Sequence, residues 1–131
     1  MALELINPDD LHKPQNYTHV AAATGGRLVF VAGQAADDVD GDLVGEGDLR
    51  AQAFQAFANL GRALAAAGAK AEQVARITIY VVGHRAEYLP VIGEARTAVF
   101  GDHKPADTFL GVETLAEPGY LIEVEAIAVV D

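Results

Sequence analysis

The chain contains neither cysteine nor serine, and these two absences exclude several kinds of active site. Without cysteine there are no disulfides, thiolate nucleophiles or thiolate metal ligands. Without serine, a nucleophile elbow of the Gly-x-Ser-x-Gly type is impossible. Long apolar stretches are also missing: no run approaches the roughly 18 residues of a membrane-spanning helix, and the N-terminal segment lacks the regions of a signal peptide. A cytoplasmic protein without a membrane partner is therefore expected.

Basic residues are scarce, because 9 Lys and Arg stand against 19 Asp and Glu, giving a net charge of −10. Nucleic-acid-binding surfaces neutralise phosphates with basic side chains, so this charge argues against a nucleic-acid partner. Much of the acid lies in the segment that contains Asp38-Val-Asp-Gly-Asp42. A calcium loop would need glycine in place of Leu43 and glutamate in place of Leu49. A solvated turn at Asp40-Gly41 is predicted instead.

The histidines do not have the spacing of metal ligands. None of them lies two or four residues from another, so no metal site is expected. Their positions are His12, His19, His84 and His103. A phosphate-binding loop is missing too, because the acidic Gly45-Glu-Gly47 has the wrong charge to hold phosphate.

Hydrophobic periodicity predicts the order β-β-α-β-α-β-β in one domain over residues 1–131. A hairpin is expected around Thr24-Gly-Gly-Arg27, between strands at His19–Ala23 and Leu28–Gly33. A helix with Asp48 as its N-cap and Gly68 just beyond its end follows. The other predicted elements are a strand at Ala75–Val82, a helix at Arg85–Phe100, and strands at Asp107–Thr114 and Tyr120–Val130.

Both predicted helices are amphipathic, which favours an α/β fold of the α+β type, with one mixed β-sheet and both helices packed on one face. The other face of the sheet would then expose Leu121, Ile127 and Val129 of the last strand. An exposed apolar patch of this kind usually marks an interface. We therefore expect a homo-oligomer.

Two carboxylates project from that same face of the last strand, because side chains alternate along a strand. Glu123 and Glu125 would lie roughly 6.5–7 Å apart. Burying either carboxylate without a partner costs several kcal/mol, so the face either carries compensating groups or is exposed to solvent. Neighbouring carboxylates raise each other's proton affinity, which suits a general acid or base. Asp107 and Tyr17 are further candidates, with simpler interpretations as a turn former and an edge aromatic.

Several segments occur in the order found in the Rid family, also called YjgF or reactive intermediate deaminase. They are Val-Ala-Gly-Gln (31–34), Gln52–Gly68, Ile-Thr-Ile-Tyr-Val-Val (77–82), Lys104-Pro-Ala and Ile122-Glu-Val-Glu-Ala-Ile-Ala128. Over nearly its whole length the chain resembles this family. The resemblance implies a chorismate-mutase-like fold, a homotrimer that forms a sheet-lined barrel, and sites in clefts between subunits. The best-known branch hydrolyses enamines and imines released by pyridoxal-phosphate enzymes, without a cofactor of its own.

The resemblance also implies roles for single residues. Glu123 matches the glutamate associated with water positioning and proton transfer, so it is the predicted catalytic residue. Tyr17 and Gly33 match residues that line the cleft. Asp107 departs from the pattern, because the deaminating branch has an arginine there that grips the substrate carboxylate. Asp107 and the adjacent Thr108 are predicted to contact a different substrate.

Two smaller departures accompany Asp107: Ala32 replaces a frequent serine, and Gly93 a frequent asparagine. The first hypothesis is a Rid-like hydrolase or deaminase acting on an imine, enamine or related C–N substrate with altered specificity. Arg96 or Arg27 would be the alternative anion-binding residue. The second hypothesis is a non-catalytic, small-molecule-binding or stress-type, chaperone-like trimer. Neither hypothesis requires a metal or another cofactor.

Overall fold

The computed structural model describes residues 3–131, so the first two residues of the predicted domain lie outside it. The strands are β1 Leu3–Ile6, β2 Val20–Ala23, β3 Arg27–Gln34, β4 Val74–Val82, β5 Ala106–Val112 and β6 Ile122–Val130, and the helices are α1 Leu49–Ala66 and α2 Leu89–Phe100. Short 3-10 turns at Ala71–Gln73 and Ala86–Tyr88 precede β4 and α2. No helix within residues 3–131 is both long and apolar enough to cross a membrane.

The main sheet is mixed, as predicted, and has the strand order β3-β6-β4-β5. Strand β6 runs antiparallel to both of its neighbours, whereas β4 and β5 are parallel. Strand β4 therefore separates the last two strands of the chain. The edges of this sheet are β3 on one side and β5 on the other.

The predicted hairpin between the second and third strands is wrong. Strand β2 pairs with β1, a strand that the sequence analysis missed, and these two form a separate sheet. The turn itself exists, because Gly25 and Gly26 have φ values of 62° and 74°. Gly26 packs so closely on the carbonyl oxygen of Val130 that a Cβ atom would collide with it. Strand β6 pairs with one edge of β3, and β3 ends the main sheet on its other side.

Helix α1 has the predicted ends. The Asp48 carboxylate accepts a hydrogen bond from the backbone N–H of Ala51 at 3.1 Å, as an N-cap does. Gly68, with φ 74°, follows the C-cap residue. Helix α2 begins at Leu89 rather than Arg85, because the preceding residues form a 3-10 turn and Pro90 occupies the first helical turn.

The core lies between the helices and one face of the main sheet. Its fully buried residues include Phe57 and Leu60 of α1, Ile77 and Ile79 of β4, and Ile122 and Val124 of β6. Helices α1 and α2 both cover this face, as predicted.

The opposite sheet face carries an apolar patch, which includes the predicted Ile127 but is centred on β3 rather than on β6. Val129 is only 2% exposed, whereas Leu28 and Phe30 of β3 are 56% and 70% exposed. Phe30 lies directly opposite Ile127, so the three residues Leu28, Phe30 and Ile127 share this face, which we call the open face. The shift follows from the strand order, since β6 is shielded by neighbours and β3 is an edge.

The acidic segment forms the predicted turn. The Asp38 carboxylate accepts hydrogen bonds from the backbone N–H groups of Asp40 and Asp42, both at 2.9 Å. Gly41 has φ 83° and donates its N–H to the Asp38 carbonyl at 3.0 Å. This turn holds Asp37 and Asp38 next to α1.

Candidate functional site

The larger of two candidate cavities, here called the Glu123 cavity, has a volume of about 950 Å³. It lies beside the end of β3, between the loop that follows this strand and the exposed side of α1. Its polar lining residues are Gln34, Asp37, Asp38, Gln55, Asn59, Arg62, Tyr120 and Glu123. Gly33 also lines it.

Gly33 gives the Glu123 carboxylate its space. Strand β6 places Glu123 opposite Tyr80 of β4, and an irregular register in β3 between Val31 and Gln34 brings Gly33 alongside. A Cβ atom at position 33 would lie 2.7 Å from the carboxylate carbon of Glu123. Real Cβ atoms do not come this close to another carbon, so any larger residue would displace Glu123.

Polar side chains of α1 hold the loop that forms the cavity wall. The Asn59 amide donates to the carbonyl oxygens of Ala35 and Asp37, at 3.0 and 2.7 Å. The Tyr120 hydroxyl donates to the Asp37 carboxylate, and this hydrogen bond is the largest of the causes, with burial and nearby carboxylates, that raise the pKa of Tyr120 to about 12. The Tyr120 phenol therefore stays protonated at every physiological pH.

The Glu123 cavity carries more negative than positive charge. Three carboxylates, those of Asp37, Asp38 and Glu123, line it together with one guanidinium, that of Arg62. Arg62 is itself held by a 2.9 Å hydrogen bond to the Asn59 side chain. Such a field favours neutral or cationic ligands over anions.

The two glutamates of β6 differ in their contacts. The Tyr80 hydroxyl donates to Glu125 at 2.6 Å, and this bond is the main reason why the pKa of Tyr80 is raised. Within residues 3–131, no side chain or backbone group donates a hydrogen bond to the Glu123 carboxylate. Glu123 is therefore the carboxylate that remains free to bind water or a ligand.

The second cavity, here called the Arg96 cavity, has a volume of about 200 Å³ and lies between α2 and the edge strand β5. It is lined by Asn16, Tyr17, Ile79, Leu89, Ile92, Gly93, Arg96, Asp107 and Phe109. Asp107 pairs with the core-facing Ile77, so its side chain points towards α2. There Nη1 of Arg96 lies 3.4 Å from Oδ2 of Asp107.

The Arg96–Asp107 ion pair is largely buried, since the side chains are only 14% and 12% exposed. Burial raises the pKa of Asp107, and the positive charges of Arg96 and Arg76 oppose that increase. The carboxylate at this position is thus already matched with a cation of the same chain. Arg27, the other alternative from the sequence, donates to the Ala67 carbonyl at the end of α1 and lines neither cavity.

Backbone contacts fix Tyr17 at the wall of the Arg96 cavity. The neighbouring Thr18 donates its N–H to the Pro105 carbonyl at 3.3 Å and its hydroxyl to the Lys104 carbonyl. The segment is thereby tied to the chain just before β5. The Tyr17 hydroxyl lies 2.7 Å from Nε2 of His12. Sequence reasoning missed His12, because this contact depends on the path of the loop and leaves no spacing signal.

Thr108 lies on the opposite side of the sheet from Asp107. It pairs with Thr78, and its hydroxyl accepts a 2.6 Å hydrogen bond from Arg76. It lines neither cavity of the single chain, and its contact with substrate stays a prediction.

One chain does not bring the predicted site residues together. Glu123 and Gly33 line one cavity, whereas Tyr17 and Asp107 line the other. Strand β4 lies between the strands that carry Glu123 and Asp107, and the two side chains project from opposite faces.

The chain belongs to the family described as endoribonuclease L-PSP, whose family model matches residues 9–130. A solved structure of a Rid-family protein of unknown function from Yersinia pestis is 38% identical, covers 99% of this chain and 100% of that chain, and superposes with a TM-score of 0.93. Membership of the Rid family, expected from the sequence, is thus confirmed, together with its α+β fold.

Two curated relatives extend the comparison. A RutC family protein from Pyrococcus abyssi is 31% identical over 128 residues, which are 98% of each chain. A 2-iminobutanoate/2-iminopropanoate deaminase from Dermatophagoides farinae is 28% identical over 106 residues, covering 81% of this chain and 80% of that one.

Proposed function

We propose that this protein is a Rid-family hydrolase of imine or enamine C–N bonds, with Glu123 as the general acid and base. The supporting observation is the free Glu123 carboxylate, exposed to a large cavity by Gly33, beside a Glu125 that is held by Tyr80. Glu123 accepts a proton from water as its oxygen attacks the imine carbon. It then passes this proton to the nitrogen, which gives a carbinolamine. A second transfer, from the carbinolamine hydroxyl through Glu123 to the amine nitrogen, breaks the C–N bond and leaves a carbonyl compound and ammonia.

The substrate we propose lacks a free carboxylate. A relative with 28% identity is named for 2-imino acids, which are carboxylates. In this chain, Asp107 is an acidic residue already paired with Arg96, and the Glu123 cavity is itself acidic. Bringing a further carboxylate into this field would be electrostatically unfavourable.

We further propose that the working protein is a trimer in which the two cavities meet. The Glu123 cavity lies next to edge strand β3 and the Arg96 cavity next to edge strand β5. A closed head-to-tail ring sets the β5 edge of each subunit against the β3 edge of the next. Such a ring would join the two cavities into one cleft and cover the open face with its exposed Phe30. The number of subunits follows the family resemblance.

A matched pair of variants tests the catalytic proposal. Imines are generated in solution, semicarbazide traps what remains unhydrolysed, and the loss of trapped product gives the rate. Glu123→Gln should lower turnover by about 10²–10⁴-fold, because it removes the proton acceptor. Glu125→Gln should retain it, because an amide oxygen still accepts the Tyr80 hydroxyl.

Equal activity in wild type and Glu123→Gln would overturn the proposed role of Glu123. Failure of the wild type to hydrolyse any imine, while it still binds small molecules, would favour the non-catalytic binding protein instead. The family name suggests ribonuclease activity as well, but the net charge of −10 and the acidic cavity are unfavourable for RNA.

A further inference from the structure

The Arg96 cavity combines apolar walls with one charged pair. Ile79, Leu89, Ile92 and Phe109 supply apolar surface, and the only charged groups in the lining are those of the Arg96–Asp107 ion pair. Pockets of this kind bind small molecules, with a few polar groups that decide orientation and specificity. A volume of about 200 Å³ suits a short-chain compound.

The ion pair is incomplete as a hydrogen-bonding unit. An Arg–carboxylate fork normally makes two parallel bonds of about 2.7–2.9 Å, whereas here a single contact spans 3.4 Å. Of the hydrogen bonds found within residues 3–131, this is the only one made by either side chain. Most guanidinium N–H groups and the other carboxylate oxygen, Oδ1, thus have no protein partner, although they are not fully buried. They are accessible to water and available for hydrogen bonds to a ligand in the cavity.

The charge of the pair restricts which ligand satisfies both members. An anion would bond to Arg96 but meet the carboxylate of Asp107, and a cation would meet the opposite conflict. A neutral group with a carbonyl oxygen next to an N–H satisfies both, because the oxygen accepts from Arg96 and the N–H donates to Asp107. A primary carboxamide carries these two groups on one carbon atom.

We propose that the Arg96–Asp107 pair is a receptor for a neutral carboxamide group on a short aliphatic ligand. This proposal refines the proposed function, since it names the part of the substrate that occupies the second half of the cleft. Gly93 supports it, because a Cβ atom at this position would meet nothing within 4 Å and would project into open space. The helix thus leaves room above the pair for a ligand atom.

Three probes of one shape and different charge test the proposal: butanamide, butanoate and butanamidinium. Their affinities for the full-length protein are measured by NMR titration at neutral pH. The wild type should prefer butanamide by at least about tenfold over each charged probe, as one charge-assisted hydrogen bond is worth about that much. Asp107→Asn should transfer the preference to butanoate, because Arg96 is then unopposed.

The control is Arg50→Gln, which breaks the exposed Arg50–Glu94 ion pair between the helices and should leave the probe order unchanged. If Asp107→Asn does not fold, the order of the three probe affinities in the wild type is sufficient to test the proposal. Preference of the wild type for a charged probe, or no binding of butanamide at millimolar concentration, would overturn the proposal. Glu123→Gln should bind butanamide as the wild type does, so this result is independent of whether catalysis by Glu123 holds.

Discussion

The Glu123 side chain occupies the space that a side chain at Gly33 would need. The contact joins the edge strand β3 to the central strand β6 at the mouth of the large cavity. It explains why position 33 holds glycine, since Gly33 lies within strand β3 and its backbone does not have the positive φ that usually requires glycine. The free carboxylate of Glu123 therefore depends on a neighbour that has no side chain.

Gly33→Ala should displace the Glu123 carboxylate and lower turnover by about 10²-fold or more, as loss of a positioned acid or base does. Thermal unfolding should change little by comparison, because the half-buried Glu123 side chain can rotate towards solvent. Gly61→Ala is the control, since its new methyl group would make only an ordinary contact with Val99 at 3.4 Å. Unchanged turnover in Gly33→Ala would show that the position of Glu123 does not matter.

Gly93→Ala should separate stability from ligand binding. Replacing a helical glycine by alanine usually raises the free energy of unfolding by about 0.5–1 kcal/mol. We expect that gain for both Gly93→Ala and Gly61→Ala in denaturant titrations. Only Gly93→Ala should weaken butanamide binding, because its methyl group enters the Arg96 cavity. Equal butanamide binding in the two variants would show that the ligand does not occupy the space beside Gly93.

The Tyr120–Asp37 hydrogen bond should be visible in a pH titration. With ¹³C-labelled tyrosine, the Tyr120 resonance should titrate at about 12 instead of 10.0, and Asp37→Asn should move it back towards 10.0. Because the folded-state pKa is raised, the stability contributed by this bond is fully present below pH 10.0 and is lost as the pH rises to about 12. Tyr120→Phe should remove that part of the pH dependence. An ordinary titration of Tyr120 in the wild type would contradict the bond.

Phe30→Asp should dissociate the proposed trimer. Phe30 is the most exposed residue of the open face, and a buried carboxylate at an interface without a partner is strongly unfavourable. Sedimentation equilibrium should give a trimer for the wild type and a smaller species for Phe30→Asp. Ala65→Asp, on the exposed side of α1, adds the same charge and should remain trimeric. A monomeric wild type at micromolar concentration would exclude both the trimer and the shared cleft.

Local features of this fold could be predicted from the sequence. Asp48 and Gly68 mark the ends of α1 correctly, because caps depend on residues within one turn. The burial of alternate residues in β6 follows equally from its pattern. Strand pairing could not be predicted, since the partner of β3 is set by β6, which is nearly 100 residues away in sequence.

The residues of the candidate site could likewise be predicted from the sequence, whereas their contacts could not. The sequence identified Glu123, Gly33, Tyr17 and Asp107, and each of them lines a cavity. The sequence named Arg96 only as one of two alternatives, because its contact with Asp107 requires α2 to pack over β5. The different partners of the two β6 glutamates, likewise, follow from the register of β4 and β6.

The most direct test of the central claim compares two substrates that differ in one group, 2-iminopropanamide and 2-iminopropanoate. Both are generated in solution, and the wild type is assayed beside Glu123→Gln and Glu125→Gln. The wild type should hydrolyse the amide at least about tenfold faster than the carboxylate, and only Glu123→Gln should lose this activity. Faster hydrolysis of the carboxylate by the wild type, or an active Glu123→Gln, would overturn the proposed mechanism.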